Sequence, residues 1–200
     1  AVAEIKNVPV EFKQNRLKPV NAQAKELRKL IRKAKFTAFG THYHFEELLE
    51  SEDLLEAFRK NVPVFDYNKM HDEWWYRALE GETDVAWPGK IRYFALSSGT
   101  SEAASKYIPI TKELNSKITK ASIRQLVSAV RYDFPAEFYN KGMLMIGGST
   151  DLQYSRQGGY YSGDLSGISA SRIPKWFELF YKPGRRISKI KNWSEKIEEM

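Results

Sequence analysis

The sequence has no cysteine, and no apolar run approaches the roughly 18 residues that suggest a membrane-spanning helix. Without cysteine the chain can form neither disulfide bonds nor thiolate metal sites, so nothing in it requires a secretory compartment. Residues 1–12 also lack the basic-then-apolar order of a signal peptide. These absences predict a cytoplasmic protein that does not enter a membrane.

Composition predicts a folded chain. Of its 200 residues, 42% are hydrophobic and 14% are aromatic, which is enough for a packed core and argues against disorder. The length fits one domain or a little more. There is no internal repeat and no low-complexity tract.

The formal net charge of +7 raises the question of a nucleic-acid partner. The densest basic stretch, residues 25–35, is interleaved with Leu27, Leu30, Ile31 and Ala34 at helical spacing. This spacing predicts an amphipathic helix whose cations lie on the solvated face. No zinc-finger spacing or RNA-recognition motif is present, so we predict no nucleic-acid partner.

Hydrophobic periodicity predicts alternating helices and strands, and therefore an α/β fold. Helices are predicted over 21–35, 45–60, 67–79, 112–132 and 187–200, with Thr111 as a helix cap. Strands are predicted over 91–96, 106–110 and 143–146, and a glycine- and tyrosine-rich loop over 158–169. We expect the strands at Ile91 and Met143 to share one sheet, because a fully apolar strand needs cover on both faces. The helix from Lys112 should pack on this sheet through Ile123, Leu126, Val127 and Val130.

The segment Ile91–Thr111 is the most informative about function. Its apolar strand runs directly into a hydroxyl-rich loop, and a lysine follows; the residues concerned are Ser97, Ser98, Gly99, Thr100, Ser101 and Lys106. Backbone N–H groups, small hydroxyls and one cation together can bind a polyphosphate, and a glycine allows close approach of the backbone. The common nucleotide loop is not matched, because Ser105 precedes the lysine. A plain polar turn is the alternative.

The run Ser97-Ser-Gly-Thr-Ser, with Lys106 and the following Tyr-Ile-Pro-Ile-Thr, resembles the phosphate-loop motif of the GH3 acyl acid–amido synthetases. This family belongs to the acyl-adenylate-forming superfamily. Glu102 and Ala103 stand where the family usually has glycine-rich sequence. Further segments resemble the family in order along nearly the whole chain: Thr37-Ala-Phe-Gly-Thr-His-Tyr-His-Phe, Val62-Pro-Val-Phe-Asp-Tyr, Gly81-Glu to Trp87-Pro-Gly, Gly147-Gly-Ser, Gly163-Asp-Leu-Ser-Gly-Ile and Trp193-Ser-Glu-Lys-Ile.

The resemblance implies the fold and the chemistry. The chain resembles an incomplete N-terminal part of the large adenylating domain, with a mixed sheet flanked by helices, spanning residues 1–200. The parent enzyme would activate a small carboxylic acid with ATP and Mg²⁺, then form an amide with an amino acid or amine. The loop residues named above would bind the ATP phosphates. Apart from the resemblance, Arg124, Gln125 and Arg131 lie on the helix that follows the loop, and one of them, with Arg124 as our candidate, could bind the acid's carboxylate through two hydrogen bonds. An ordinary solvated helix residue is the alternative for each. The resemblance assigns neither catalytic residues nor Mg²⁺ ligands in this chain.

Family members are considerably longer, so we expect a fragment that is inactive alone; a naturally short relative is the alternative. Such a fragment should self-associate through exposed apolar surface, bury this surface in a non-native contact or be only marginally stable. The candidates for this surface are the aromatic residues within 154–161 and Trp176, Phe177, Phe180 and Trp193. A non-catalytic phosphate- or partner-binding module that retains the loop is the alternative function. His42 and His44 are two residues apart, but no third nearby ligand completes a site, so we predict no metal centre.

Overall fold

The computed structural model describes residues 19–97, 106–132, 134–135, 137–138, 141–173 and 175–200. The chain divides into two compact units. The helical unit contains residues 19–91 and 156–159, and the sheet unit contains residues 92–155 and 160–200. Within these described ranges, no helix is both long and apolar enough to cross a membrane.

The helical unit is a succession of short helices. They are α1 (Pro19–Ala34), α2 (Ala38–His42), α3 (Phe45–Glu50), α4 (Leu54–Asn61), α5 (Tyr67–Met70), a π-helical turn (His71–Trp75) and α6 (Tyr76–Leu79). The predicted single helix over 45–60 is wrong. The Asp53 carboxylate accepts hydrogen bonds from the N–H groups of Leu55 and Glu56, so a new helix begins there.

The core of the helical unit confirms the amphipathic interpretation of the basic stretch, except that Leu30, predicted on the buried face, is 51% exposed. Ile31 and Ala34 of α1 are buried against Phe45, Leu48 and Leu54 of the next helices. The cations of α1 are mostly exposed, and Arg28 is half-buried because its Nη1 donates to the carbonyl oxygen of Leu49 at 2.8 Å. The charge of this stretch therefore accompanies ordinary helix packing.

The sheet unit contains a mixed four-stranded sheet. Its strands are β1 (Tyr93–Leu96), β2 (Tyr107–Pro109), β4 (Gln153–Ser155) and β5 (Tyr160–Gly163), in the order β2-β1-β5-β4. β1 runs antiparallel to β2 and parallel to β5, and β4 runs antiparallel to β5. Phe94, Ala95, Ile110 and Ile168 are buried around this sheet. The predicted α/β fold with a mixed sheet is confirmed.

The strand at Met143 is placed differently from the prediction. β3 (Met143–Leu144) pairs in parallel with β6 (Tyr181–Lys182) in a separate two-stranded sheet. Leu144, Met145 and Ile146 are exposed, so the expected cover on both faces is absent from the described part of the chain. An apolar run predicts a strand, but it does not say which strand will pair with it.

Helix α7 (Lys112–Ser128) begins as predicted, because the Thr111 hydroxyl accepts the N–H of Leu114 at 3.0 Å. A 3₁₀ turn follows at Ala129–Arg131. The predicted buried stripe is wrong, since Ile123 is 42% and Val127 is 36% exposed. This face borders an open cavity instead of a closed core.

The remaining helices are α8 (Leu165–Ser171), a 3₁₀ turn (Lys175–Phe177), α9 (Arg185–Ser188) and α10 (Trp193–Glu198). Two predictions are corrected here. The expected loop over 158–169 contains β5 and the start of α8, and the expected helix over 187–200 is two helices. The Asn192 side chain accepts the N–H of Glu195 at 3.1 Å, which starts α10 afresh.

Candidate functional site

Ser97 and Lys106 face each other where β1 ends and β2 begins. The backbone N–H of Ser97 donates to the carbonyl oxygen of Lys106 at 3.1 Å, one step beyond the Leu96–Tyr107 pair. The two predicted site residues at the ends of the phosphate loop are thereby brought together. The other predicted loop residues, Ser98, Gly99, Thr100 and Ser101, lie outside the described residues.

The parallel pairing of β1 with β5 places two strand ends at the same edge of the sheet. Ala95 pairs with Gly163, and Asp164 follows directly after β5. Ligands of open α/β sheets bind outside the carboxyl ends of parallel strands. The chain therefore enters the predicted phosphate loop at the edge where such a ligand is expected.

A cavity of about 200 Å³ lies at this edge. Leu96 and Gly163 contribute the two strand ends. Its polar lining includes Ser149, Asp151, Ser162, Asp164, Lys191 and Lys196. A volume below the roughly 300 Å³ of a typical ligand pocket suits a small polar molecule or the head group of a larger one.

One wall of the cavity is the turn at residues 147–151. The Gly148 N–H donates to Ser166 Oγ at 2.9 Å, and Ser149 Oγ donates to the Lys189 carbonyl at 2.7 Å. The turn must contain glycine, because a Cβ atom at Gly148 would collide with the Asp164 carboxylate. The Gly147-Gly148 pair thus allows the backbone to approach the beginning of α8.

Two lysines of the cavity have different surroundings. Lys191 Nζ lies 2.8 Å from Asp151 Oδ2, and its hydrogen bond and charge hold the pKa of the Asp151 carboxyl below its ordinary value. Lys196 is only 3% exposed; its Nζ donates to the Gly147 carbonyl at 3.1 Å and lies 5.2 Å from the centre of the Trp193 ring. Lys196 therefore fixes the glycine turn from within.

Helix α7 carries the remaining predicted site residue. Arg124 is exposed on this helix. An apolar cavity of about 470 Å³ lies between α7, β3 and α8, and its lining includes Ile118, Ser122, Leu126, Met143, Met145 and Ile173. This volume lies within the range of small-molecule pockets, about 300–1,000 Å³.

The described residues contain no group of three or more His, Cys, Asp or Glu side chains that could hold a metal ion. The His42 ring packs against Tyr43 and Trp74, and His44 Nδ1 lies 3.2 Å from Glu47 Oε1. His42 is therefore packed against aromatic rings, and His44 makes a contact at the surface. No Mg²⁺ ligand set is assigned within this part of the chain.

Sequence reasoning did not select Asp164 or Lys196 as site residues. Both lie in segments that carry the family resemblance, Gly163-Asp-Leu-Ser-Gly-Ile and Trp193-Ser-Glu-Lys-Ile. A lysine on a short amphipathic helix normally lies in solvent, so its type and position gave no sign of burial. The resemblance of the segments was the one available signal.

Comparison with known proteins identifies the family of the chain. The model of the family described as GH3 family N-terminal domain matches residues 10–197. Nineteen chains from solved structures match, among them GH3.15 acyl acid amido synthetase at 18% identity and a TM-score of 0.68. That match covers 89% of this chain and 30% of the synthetase chain. A search of curated proteins gave no match. The chain therefore belongs to the GH3 family and corresponds to its N-terminal portion.

Proposed function

We propose that the protein to which this chain belongs activates a small carboxylic acid with ATP and transfers the acyl group to an amino acid or amine. The observation that carries the proposal is the contact between Ser97 and Lys106 at the carboxyl end of β1. It joins the two ends of the hydroxyl-rich loop beside a polar cavity, at the edge where α/β sheets bind ligands. The chain spans 30% of the synthetase that it matches, so the activity is proposed for the parent protein.

The proposed reaction has two steps. The carboxylate of the acid attacks the α-phosphorus of ATP, and pyrophosphate leaves. The amine then attacks the acyl carbonyl, an amide bond forms, and AMP leaves. In the first step Ser97, Ser98, Gly99, Thr100 and Ser101 orient the phosphates through N–H and O–H donors, and Lys106 balances the charge of the departing pyrophosphate.

Mg²⁺, when bound, neutralises phosphate charge in such reactions. It is usually held by phosphates and one or two carboxylates. No Mg²⁺ ligand is assigned among the described residues. The roles assigned to this chain concern phosphate positioning alone.

The acyl subsite is proposed on α7. Arg124 is a candidate partner for the acid's carboxylate because a guanidinium can bind a carboxylate through two parallel hydrogen bonds. We place the protein in the cytoplasm on the sequence features given above. We also propose that the isolated chain self-associates, because large apolar side chains including Leu144, Ile146, Leu179 and Trp193 are exposed.

The test is ATP–pyrophosphate exchange in the parent protein with a panel of aromatic and aliphatic carboxylic acids. Exchange that requires one of these acids supports adenylation, and amide formation with an added amino acid supports the second step. ATP binding without any acid-dependent exchange would instead favour the non-catalytic phosphate-binding module. The isolated chain is expected to show no exchange.

A further inference from the structure

Three tyrosines form a continuous row across the four-stranded sheet. Tyr93 of β1 pairs with Tyr161 of β5, and Tyr161 pairs with Tyr154 of β4. Residues directly opposite each other on neighbouring strands share a face of the sheet, so the three side chains lie on one face. The ring centres of Tyr93 and Tyr161 are 5.8 Å apart, and those of Tyr161 and Tyr154 are 4.8 Å apart. We call Tyr93, Tyr161 and Tyr154 the tyrosine row.

Helix α8 packs on this face of the sheet but leaves most of the tyrosine row in solvent. Ile168 of α8 and Ala95 of β1 belong to one buried cluster, and Tyr93 packs against that cluster. Beyond Tyr93 the row is open, because Tyr161 is 42% and Tyr154 is 56% exposed. Adjacent aromatic rings that stay in solvent are typical of a surface that contacts another molecule.

One cation lies beside the tyrosine row. Arg172 directly follows α8, and its Cζ atom lies 5.0 Å from the centre of the Tyr93 ring. The side chain is exposed and forms no ion pair with another described residue. A guanidinium can bind a carboxylate through two parallel hydrogen bonds. Two copies of this surface would bring two such cations together, so an acidic partner matches it better than a second copy.

The tyrosine row is separate from the phosphate loop and from the two cavities described above. Tyr93 is the first residue of β1, whereas the loop follows the last residue of that strand. Neither the polar cavity nor the apolar cavity is lined by the row or by Arg172. Small molecules bind in concave pockets, so an open row on the face of a sheet suits an extended peptide better.

We propose that the tyrosine row binds a proline-rich, acidic peptide segment of another protein in the polyproline II conformation. Aromatic side chains are the usual surface for such segments, which lose little conformational entropy on binding. A polyproline II helix advances about 3.1 Å per residue, so a step of two residues is about 6 Å, close to the spacing of the rings. An acidic residue of the segment pairs with Arg172. This binding site is additional to the proposed amide-forming activity.

The experiment measures binding of a fluorescein-labelled peptide, Pro-Pro-Glu-Pro-Pro-Glu-Pro-Pro, to the full-length protein by fluorescence anisotropy. One matched peptide has lysine in place of both glutamates, and the other has glycine in place of every proline. Each matched peptide should bind about tenfold more weakly than the first. The lysine peptide loses the charge pairing with Arg172, and the glycine peptide loses the preformed conformation.

Two variants test the surface itself. Tyr154→Ser and Arg172→Gln should each weaken binding of the glutamate peptide by about tenfold, and both positions are exposed, so the fold should be retained. Tyr132→Ser, at a position 66% exposed outside the row, and Lys175→Gln, at an exposed position, are the matched controls and should bind normally. Arg172→Gln should also bind the glutamate and lysine peptides with similar affinity, because the charge that separates them is gone.

Three results would overturn the proposal. The first is the absence of saturable binding of the glutamate peptide to the full-length protein. The second is an affinity that neither Tyr154→Ser nor Arg172→Gln changes. The third is a row that serves a second copy instead: Tyr154→Ser would then reduce concentration-dependent sedimentation of a protein that binds none of the peptides.

Discussion

The hydroxyl of Thr37 accepts the backbone N–H of Gly40 at 3.0 Å and donates to the carbonyl oxygen of Ala34 at 2.7 Å. One buried side chain therefore ends α1 and begins α2. Gly40 is needed at the next turn, because a Cβ atom there would strike the Ala34 carbonyl. The family-like segment Thr37-Ala-Phe-Gly thus has a structural explanation in the joint between two helices.

Replacing Thr37 by valine keeps the shape and removes both hydrogen bonds. The free energy of unfolding should fall by about 1–2 kcal/mol, as for other lost N-caps. Denaturant unfolding followed by circular dichroism measures it. Thr41→Val, at an exposed position of the same helix, is the control and should change stability by less than about 0.5 kcal/mol. Equal stability of the two variants would show that the Thr37 cap contributes nothing.

Lys106→Ala in the parent protein tests the phosphate loop. Acid-dependent ATP–pyrophosphate exchange should slow by about tenfold or more, since a charge that stabilises the leaving pyrophosphate is lost. Thermal unfolding should stay nearly unchanged, because Lys106 is exposed. Lys60→Ala, on an exposed position of α4, carries the same change of charge as the control. Unchanged exchange at every ATP concentration would remove Lys106 from the site.

Arg124→Leu tests the acyl subsite. The KM for the carboxylic acid should rise by about ten- to a hundredfold, because a charged hydrogen-bond donor is lost, while the KM for ATP changes little. Lys120→Leu, an exposed lysine on the same helix, serves as the control. A KM for the acid that responds equally to both variants would assign the effect to the helix and not to Arg124.

The Asp151–Lys191 pair predicts a pH effect of defined sign. The pKa of Asp151 is lowered in the folded chain, chiefly by the hydrogen bond from Lys191. The pair therefore contributes its stability above the pKa of an unfolded aspartate, and that contribution is lost as the pH falls through the lower folded value. Lys191→Met should raise the Asp151 pKa in a carboxyl NMR titration, and Lys175→Met should not. Identical Asp151 titration curves in all three proteins would contradict the assigned cause.

Exposed apolar side chains predict self-association of the isolated chain. Leu179 is 82% exposed in the sheet unit, near other exposed apolar residues such as Phe180. Sedimentation velocity should show a sedimentation coefficient that rises with protein concentration, and Leu179→Lys should reduce the rise. Val64→Lys, at a position 95% exposed in the helical unit, is the control. A concentration-independent monomer would refute the expectation.

Long periodic segments were predictable from the sequence, and pairings across the chain were not. α1 and α7 follow from hydrophobic spacing and a capping threonine, and β1 follows from its apolar run. The start of α4 was also encoded, because Asp53 and Glu56 have the spacing of a capping box, but the continuing apolar periodicity obscured it. Local signals of this kind act within one helical turn, which is why they can be recognised without the fold.

β5 was missed for a physical reason. Its residues, Tyr160 to Gly163, follow two glycines and include a buried serine, so neither alternation nor β-branching marks a strand. Ser162 is buried because parallel pairing with Phe94 places it in the middle of the sheet. The cavity depends on the same long-range pairing, so Asp164 and Lys196 could not be recognised as neighbours from local sequence.

The register of Tyr93 with Tyr161 also determines when the sheet can form during synthesis. Closing the long loop between Tyr93 and Tyr161 loses chain entropy before any contact is gained. Parallel pairing of β1 with β5 is therefore slow. The helices at residues 19–79 connect near neighbours and can form as they leave the ribosome. β1 must then wait with one edge unpaired until β5 emerges. A growing chain therefore exposes that edge, which is the surface most prone to wrong pairing between nascent copies.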